Sequence, residues 1–380
     1  MTGPQRIPDD AGAVSDAYAG DRVVVRYRLG DDTPADWRSS GPQPRPDSAR
    51  AGKPARTPTL SDITGRLLDD RDPLIIDRDG DALRVPRSAV TSVRLLSATV
   101  LRNSDIRALE HAAALAWPGT ESAWIDGWLV RAGGGVSRRA NSAVPLERSA
   151  RVDPETLAAI GSWYAERGLP TLMALPDRLV PPHQIAGRAR SGSVHMLVRD
   201  IALAGGPIGE AVDAPAESEG SDGAGAGGRY DEPGTHSADL NTTPSNDWLR
   251  CYTNGDSDIE VARRVVGAAD GPVAFVTVRG TTTASSTPTP VAIGRGAVTA
   301  PPDGARWLGV TALWTDPAAR RRGHGDTVLT RLLAWGAEQG AERAYLQVEA
   351  DNRVAGSWYR ARGFGLHHTY RYVQPTTGVR

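Results

Sequence analysis

The stretch WTDPAARRRGHGDTVLTRLLAWG, residues 314–336, decides how the chain is read. It begins at the end of an apolar run, WLGVTALWTDP (307–317), that reads as a strand stopping at proline. It continues into GHGDTVLTRLLAWGAEQG (323–340), a helix that ends at glycine. Between them lie Arg320, Arg321, Arg322, Gly323, His324 and Gly325. Glycines in such a loop accept backbone conformations that other residues resist. Successive amides then point into one concavity at the positive end of the helix dipole, an arrangement that holds a phosphate or pyrophosphate. The loop lacks the Gly-Lys-Ser/Thr of a nucleotide P-loop and the spacing of a dinucleotide fold.

Outward from this stretch, elements alternate. DSDIEVARRVVGAA (256–269) reads as a helix, and 272–280 and 290–300 as strands. AERAYLQVEADN (341–352) is a strand, RVAGSWYRARGF (353–364) a helix and LHHTYRYVQ (366–374) a last strand. Upstream, residues 205–245 are acidic and rich in Gly, Ala and Ser, which reads as a disordered linker. Before the linker, a helix begins near Ser104, with Ile106, Leu109, Ala113 and Ala116 on one face and Pro118-Gly119 at its end. Two strands around a glycine turn (124–146), a helix (153–170) and strands at 171–175 and 193–201 follow. Residues 19–98 hold about five short strands, with Asp79-Gly80 as a hairpin turn and a Pro/Ser/Gly/Arg-rich insertion at 38–58. Residues 1–18 read as a disordered tail.

Composition narrows the function. The net charge is −1, and Lys53 is the only lysine among 44 basic residues. That balance makes no basic field for nucleic acid, and the 19–98 segment mixes Asp with its Arg. Cys251 is the only cysteine, so neither an intramolecular disulfide nor a thiolate-rich metal site is expected. The N-terminus lacks the pattern of a signal peptide, and no run approaches a membrane span. The expectation is a soluble, cytoplasmic protein that uses no metal.

The loop Arg320-Arg321-Arg322-Gly323-His324-Gly325 resembles the acetyl-CoA signature of the GCN5-related N-acetyltransferases, and Pro317 stands where that family commonly has proline. LQVEADNRVAGSWYRARGF (346–364) resembles the family's later motif, with Asn352, Tyr359 and Gly363-Phe364 at the usual spacing. The resemblance covers residues 246–376 and implies an α/β (α+β) acetyl-CoA-binding domain. It implies that the pantetheine arm pairs with Leu313, Trp314 and Thr315, one of whose amides donates to the thioester oxygen. It places the pyrophosphate on the amides from Arg321 to Asp326, with Arg320 and Arg322 beside it. Asp326 would sit near a pyrophosphate, and its place in the first helical turn gives it an alternative role in the dipole. Tyr359 matches the family's general acid, since a phenol has a pKa near 10, close to that of a thiol. Asn352 is either a CoA contact or a helix cap. Glu349 is a base candidate, directly or through water.

GSWY occurs twice, at 161–164 and 356–359. The first copy has no Arg-x-x-Gly-x-Gly loop, and GGGVSRRANS (133–142) reads as a hairpin turn. Residues 103–204 therefore read as a degenerate half that shapes an acceptor pocket, with Trp124, Trp128, Arg139 and Asn141 as candidates and Tyr164 as structural. The layout resembles bacterial acetyltransferases with a small SH3-like β-barrel ahead of two mixed-sheet halves. The expected activity is acetyl transfer from acetyl-CoA to a primary amine, of a small molecule or a protein. The alternative is a non-catalytic acyl-CoA sensor. The SH3-like barrel offers a surface for a protein partner.

Overall fold

The computed structural model describes residues 17–35, 59–97, 100–201, 238–253, 258–282 and 285–376. The expected tail up to residue 16, the 38–58 insertion and most of the linker lie outside the described residues.

The N-terminal strands are β1 (Arg22–Arg28), β2 (Leu60–Asp69), β3 (Leu74–Arg78), β4 (Asp81–Val85) and β5 (Val90–Leu96). Helix α1 (Asn103–Ala116), strands β6 (Glu121–Ile125), β7 (Trp128–Ala132) and β8 (Val144–Pro145), and helix α2 (Pro154–Ala165) follow. Next come β9 (Met173–Pro176), β10 (Gly187–Ala189), β11 (Val194–Asp200), β12 (Ala238–Asn241), α3 (Asn246–Thr253) and α4 (Ile259–Gly267). The last elements are β13 (Val273–Thr282), β14 (Ser285–Thr299), β15 (Trp307–Thr315), α5 (His324–Glu338), β16 (Arg343–Glu349), α6 (Arg353–Arg360) and β17 (Gly365–Pro375). The chain is a mixed α/β protein, as expected.

It forms two compact units. One comprises residues 1–106, 175–198 and 347–373. It contains an antiparallel sheet in the order β4-β3-β2-β1-β5, over the stretch read as an SH3-like barrel. Alternation drives that sheet: Val23, Val25 and Tyr27 of β1 point inward and pack with Ile63, Leu67, Leu74 and Ile76. Asp79 and Gly80 both take positive φ between the paired Arg78 and Asp81, the tight hairpin read from the sequence. The same unit holds β11 paired antiparallel to β17, and helix α6.

The second unit comprises residues 107–174, 199–346 and 374–380. Here β12, β13, β14 and β15 run antiparallel, and β15 pairs in parallel with the start of β16. Parallel neighbours need a crossover, which α5 supplies by packing on β14 and β15. Its face of Val328, Leu329, Leu332 and Trp335 is buried. A three-stranded sheet, β6-β7-β8, lies in this unit.

Three features depart from the reading. Tyr18, assigned to the tail, is buried, because its ring and hydroxyl both find partners described below. Residues 238–241, assigned to the linker, form β12, because β13 offers them an edge. Helix α3 went unread; its Trp248 and Leu249 are fully buried in the core with Val265, Val266 and Phe275. Among the described residues no helix is long and apolar enough to cross a membrane.

Candidate active site

The signature stretch is a continuous strand, turn and helix in the second unit. β15 carries an irregularity where it matters. Its register with β14 jumps from Arg295↔Thr311 to Ile293↔Trp314, so Ala312 and Leu313 oppose the single Gly294. Ala312 takes φ +52°, the mark of a bulge. On the other side, pairing with β16 runs only from Trp307↔Arg343 to Val310↔Leu346. Leu313, Trp314 and Thr315 therefore lie past the end of the parallel ladder and are half-buried. A strand edge of this kind accepts another extended chain.

Past Thr315 the chain turns tightly. Asp316 Oδ1 accepts from the Ala318 amide at 2.8 Å and caps the short turn Pro317–Ala319. Arg321 has φ +61° and Gly323 φ +80°. A side chain at Gly323 would meet no atom within 4 Å, so its requirement is the left-handed backbone and not space. Helix α5 starts at His324 with Gly323 as its N-cap, a residue that has no side chain to cap the first turn. Arg320, Arg321 and Arg322 are exposed around this turn, and Arg320 Nε lies 3.4 Å from the Thr315 carbonyl. His324 is buried. Gly325 and Asp326 are half-buried in the first turn of α5, where the Asp326 carboxylate complements the dipole.

The later motif belongs to the first unit. Asn352 is the N-cap of α6, its Oδ1 accepting from the Ala355 amide at 3.2 Å. Tyr359 is 9% exposed, between the edges of Trp358 and Phe364 at 5.0 and 5.9 Å. Glu349, the last residue of β16, is half-buried.

Helix α6 is clamped by residues that sequence reasoning missed. The Tyr18 hydroxyl donates to the Ala350 carbonyl at 2.5 Å. Its ring lies against Gly356, where a Cβ would come within 2.7–2.9 Å of three Tyr18 atoms. The guanidinium carbons of Arg360 and Arg353 sit 4.1 and 4.9 Å from the ring centre. Arg360 Nε donates to Asp21 at 2.5 Å, with both side chains almost wholly buried. Burial pushes the Asp21 carboxyl up, against the opposing pull of Arg360. Arg353 pairs with Asp70. His195 meets the Tyr18 ring edge-on, and burial first, then the nearby Arg360 charge, lowers its imidazole to about 4. The α6 partners of Tyr18 and Asp21, the Ala350 carbonyl just ahead of that helix and Arg360 within it, stand more than 300 positions away and leave no mark in the local sequence.

The two GSWY copies share a helix ending. Arg167 stacks on Trp163 at 3.9 Å and bonds its carbonyl; Arg362 does the same to Trp358 at 4.0 Å. Gly168 and Gly363 follow with positive φ. The tyrosines differ. Tyr164 is fully buried, its hydroxyl bonded to both the amide and the carbonyl of Arg131, and burial raises it to about 12.

The four acceptor candidates separate. Trp128 is fully buried and donates from Nε1 to the Arg151 carbonyl. Asn141 organises the glycine loop, accepting from Gly133 and Gly135 and donating to Ser137. Trp124 is half-exposed and stacks on His111. Arg139 is half-buried. Among the described residues no group of three His, Cys, Asp or Glu has metal-binding geometry.

A protein family described as "Probable histone acetyltransferase Rv0428c C-terminal" matches residues 103–373. The chain belongs to this family. The match spans both the loop and the later motif. The chain is 36% identical over 357 residues to the probable histone acetyltransferase Rv0428c of Mycobacterium tuberculosis, covering 93% of this chain and 94% of that protein. Among solved structures it is similar to a GCN5-related N-acetyltransferase from Kribbella flavida, with 13% identity, 72% and 95% coverage of the two chains and a TM-score of 0.44. It is also similar to a tandem GNAT protein of the clavulanic acid biosynthesis pathway, with 11% identity, 67% and 78% coverage and a TM-score of 0.42. Membership of the Rv0428c family does not depend on these structures.

Proposed function

We propose that this chain is an acetyl-CoA-dependent N-acetyltransferase. The observation that carries the reading is the bulged end of β15, past its last pair with β16, running directly into a left-handed turn and the N-terminus of α5. Leu313, Trp314 and Thr315 offer main-chain groups to the pantetheine amides, and a β15 amide near the bulge polarises the thioester carbonyl. The amides that open α5 hold the pyrophosphate, with Arg320 to Arg322 adding charge. The acceptor nitrogen attacks the thioester carbonyl with its lone pair; the C–N bond forms and the C–S bond breaks. Tyr359 gives its proton to the departing thiolate, and the proton lost by the amine passes to Glu349 or to water. The products are an acetamide and a free thiol. The name of the Mycobacterium relative supports the acetyl transfer, while the acceptor class is taken up below.

Calorimetry with acetyl-CoA tests the binding half, using the wild type and Gly323→Glu, which puts bulk and charge in the anion cradle. Wild-type binding abolished by the substitution is expected. A folded wild type that ignores acetyl-CoA refutes the reading. Tyr359→Phe separates enzyme from sensor: kcat falls about a hundredfold or more while the acetyl-CoA Kd holds.

A further inference from the structure

The face of the sheet opposite α5 carries a buried cation that acetyl transfer as described does not use. Side chains added at Gly294 and Gly296 would strike α5, so Arg295 between them points the other way. It has no exposed surface. Its Nε donates to the Val266 carbonyl at 2.6 Å, and Nη2 donates to the Ala116 and Ala268 carbonyls at 2.9 Å each. These oxygens close the ends of α1 and α4, so the guanidinium is held firmly and, among the described residues, without a bonded carboxylate. Burial lowers it to about 10, which leaves it charged at neutral pH. Its Nη1 finds no hydrogen-bond partner among the described residues.

Two more polar atoms share the face. Thr311 pairs with Arg295 across the β14–β15 ladder, and paired residues stand side by side. Gly309, two residues before Thr311, pairs with Tyr345, whose hydroxyl leans over it: a Cβ at Gly309 would lie 2.4 Å from Tyr345 Oη. Thr311 Oγ1 and Tyr345 Oη are buried, and each also finds no partner among the described residues. Three donors on three adjacent strands thus lie unsatisfied on one face, where each such group is costly to bury. The surrounding charge is one-sided. Tyr345 feels Arg295, Arg139 and Arg131 against the single carboxylate of Glu110. Arg139 and Tyr252, which also act on one another, are half-buried.

We propose that Arg295, Thr311 and Tyr345 seat the anionic group of a small amine acceptor. The inference rests on the acetyl-transfer reading. Thr311 immediately precedes the bulge, and Leu313 lies roughly 7 Å further along the strand. An amine a few bonds from its carboxylate or phosphate spans that interval. A basic protein tail would bring lysines and arginines to a neighbourhood that already holds three guanidiniums.

Two measurements test this. Thermal unfolding of the wild type, Thr311→Val and Tyr345→Phe is followed in chloride, inorganic phosphate and succinate at matched ionic strength. Phosphate or succinate should raise the wild-type Tm above chloride, and the variants should lose most of that rise; which anion acts tells phosphate from carboxylate. Acetylation is then compared between amino-carboxylates, amino-phosphates and basic histone-tail peptides. Anionic amines should be preferred, with KM about tenfold higher in each variant and the acetyl-CoA Kd unchanged. If no anion shifts the Tm and both variants merely stabilise the fold, the hydroxyls are only buried and the proposal falls. It falls equally if the peptides are the better substrates and the variants do not affect KM. An anion-dependent Tm shift without acetyl-CoA binding would sink the transfer reading alone.

Discussion

Replacing the glycine of each GSWY by alanine should give opposite results. Alanine in a helix interior is worth about 1 kcal/mol more than glycine. At Gly161 the new methyl meets nothing nearer than Thr171 Oγ1 at 3.9 Å, so that gain is kept. Gly161→Ala should stabilise by about 0.5–1 kcal/mol. At Gly356 the methyl would lie 2.7 Å from Tyr18 Cζ, 2.8 Å from its Oη and 2.9 Å from its Cε1. The ring must move, at a cost of about 1–3 kcal/mol for overpacking. Moving it also breaks the bond to the Ala350 carbonyl, which adds about 1 kcal/mol. After the helical gain, Gly356→Ala should destabilise by about 2 kcal/mol. Guanidinium unfolding followed by circular dichroism reads both variants. Tyr18→Leu provides the control, since in that background the Gly356→Ala penalty should largely vanish. Equal effects at the two glycines, or a penalty that survives Tyr18→Leu, would refute the clamp.

Two further outcomes follow from the same cluster. Asp21→Ala strands the Arg360 guanidinium, which is 6% exposed, and should cost about 3 kcal/mol; replacing both by apolar residues should cost less. His195 takes a proton near pH 6.5 when unfolded but only near 4 when folded, so acid favours the unfolded chain. Its contribution is complete above pH 6.5 and is lost as the pH falls towards 4, by about 3 kcal/mol. The denaturation midpoint of His195→Gln should therefore fall less steeply over that window than the wild type's, and equal slopes would remove His195 from the account.

Much of the local structure was legible. The signature loop, the strand before it and the helix after it were read in order, because turns and periodicity are properties of neighbouring residues. The Asp79-Gly80 hairpin and the end of α1 before Pro118-Gly119 were read for the same reason. An equivalent signal was overlooked at Asp126-Gly127, where both residues take positive φ between the paired Ile125 and Trp128. Helix α3 was missed because its partners, not its eight residues, make it helical. Among the site candidates, the polar atoms of Trp128 and Asn141 bond the backbone, contacts that no local pattern marks.

By itself the sequence determined the order of the elements, the glycine turn after β15 and the recurrence of one helix ending at Arg-Gly. Those depend on residues within a few positions of one another, and backbone sterics and dipoles act at that range. Only the tertiary structure decided that Gly356 is small because Tyr18 needs its place, and that Arg295 ends two helices while leaving one donor over. Such contacts join residues 27 to 338 positions apart, and their energy comes from burial and pairing that no local pattern encodes.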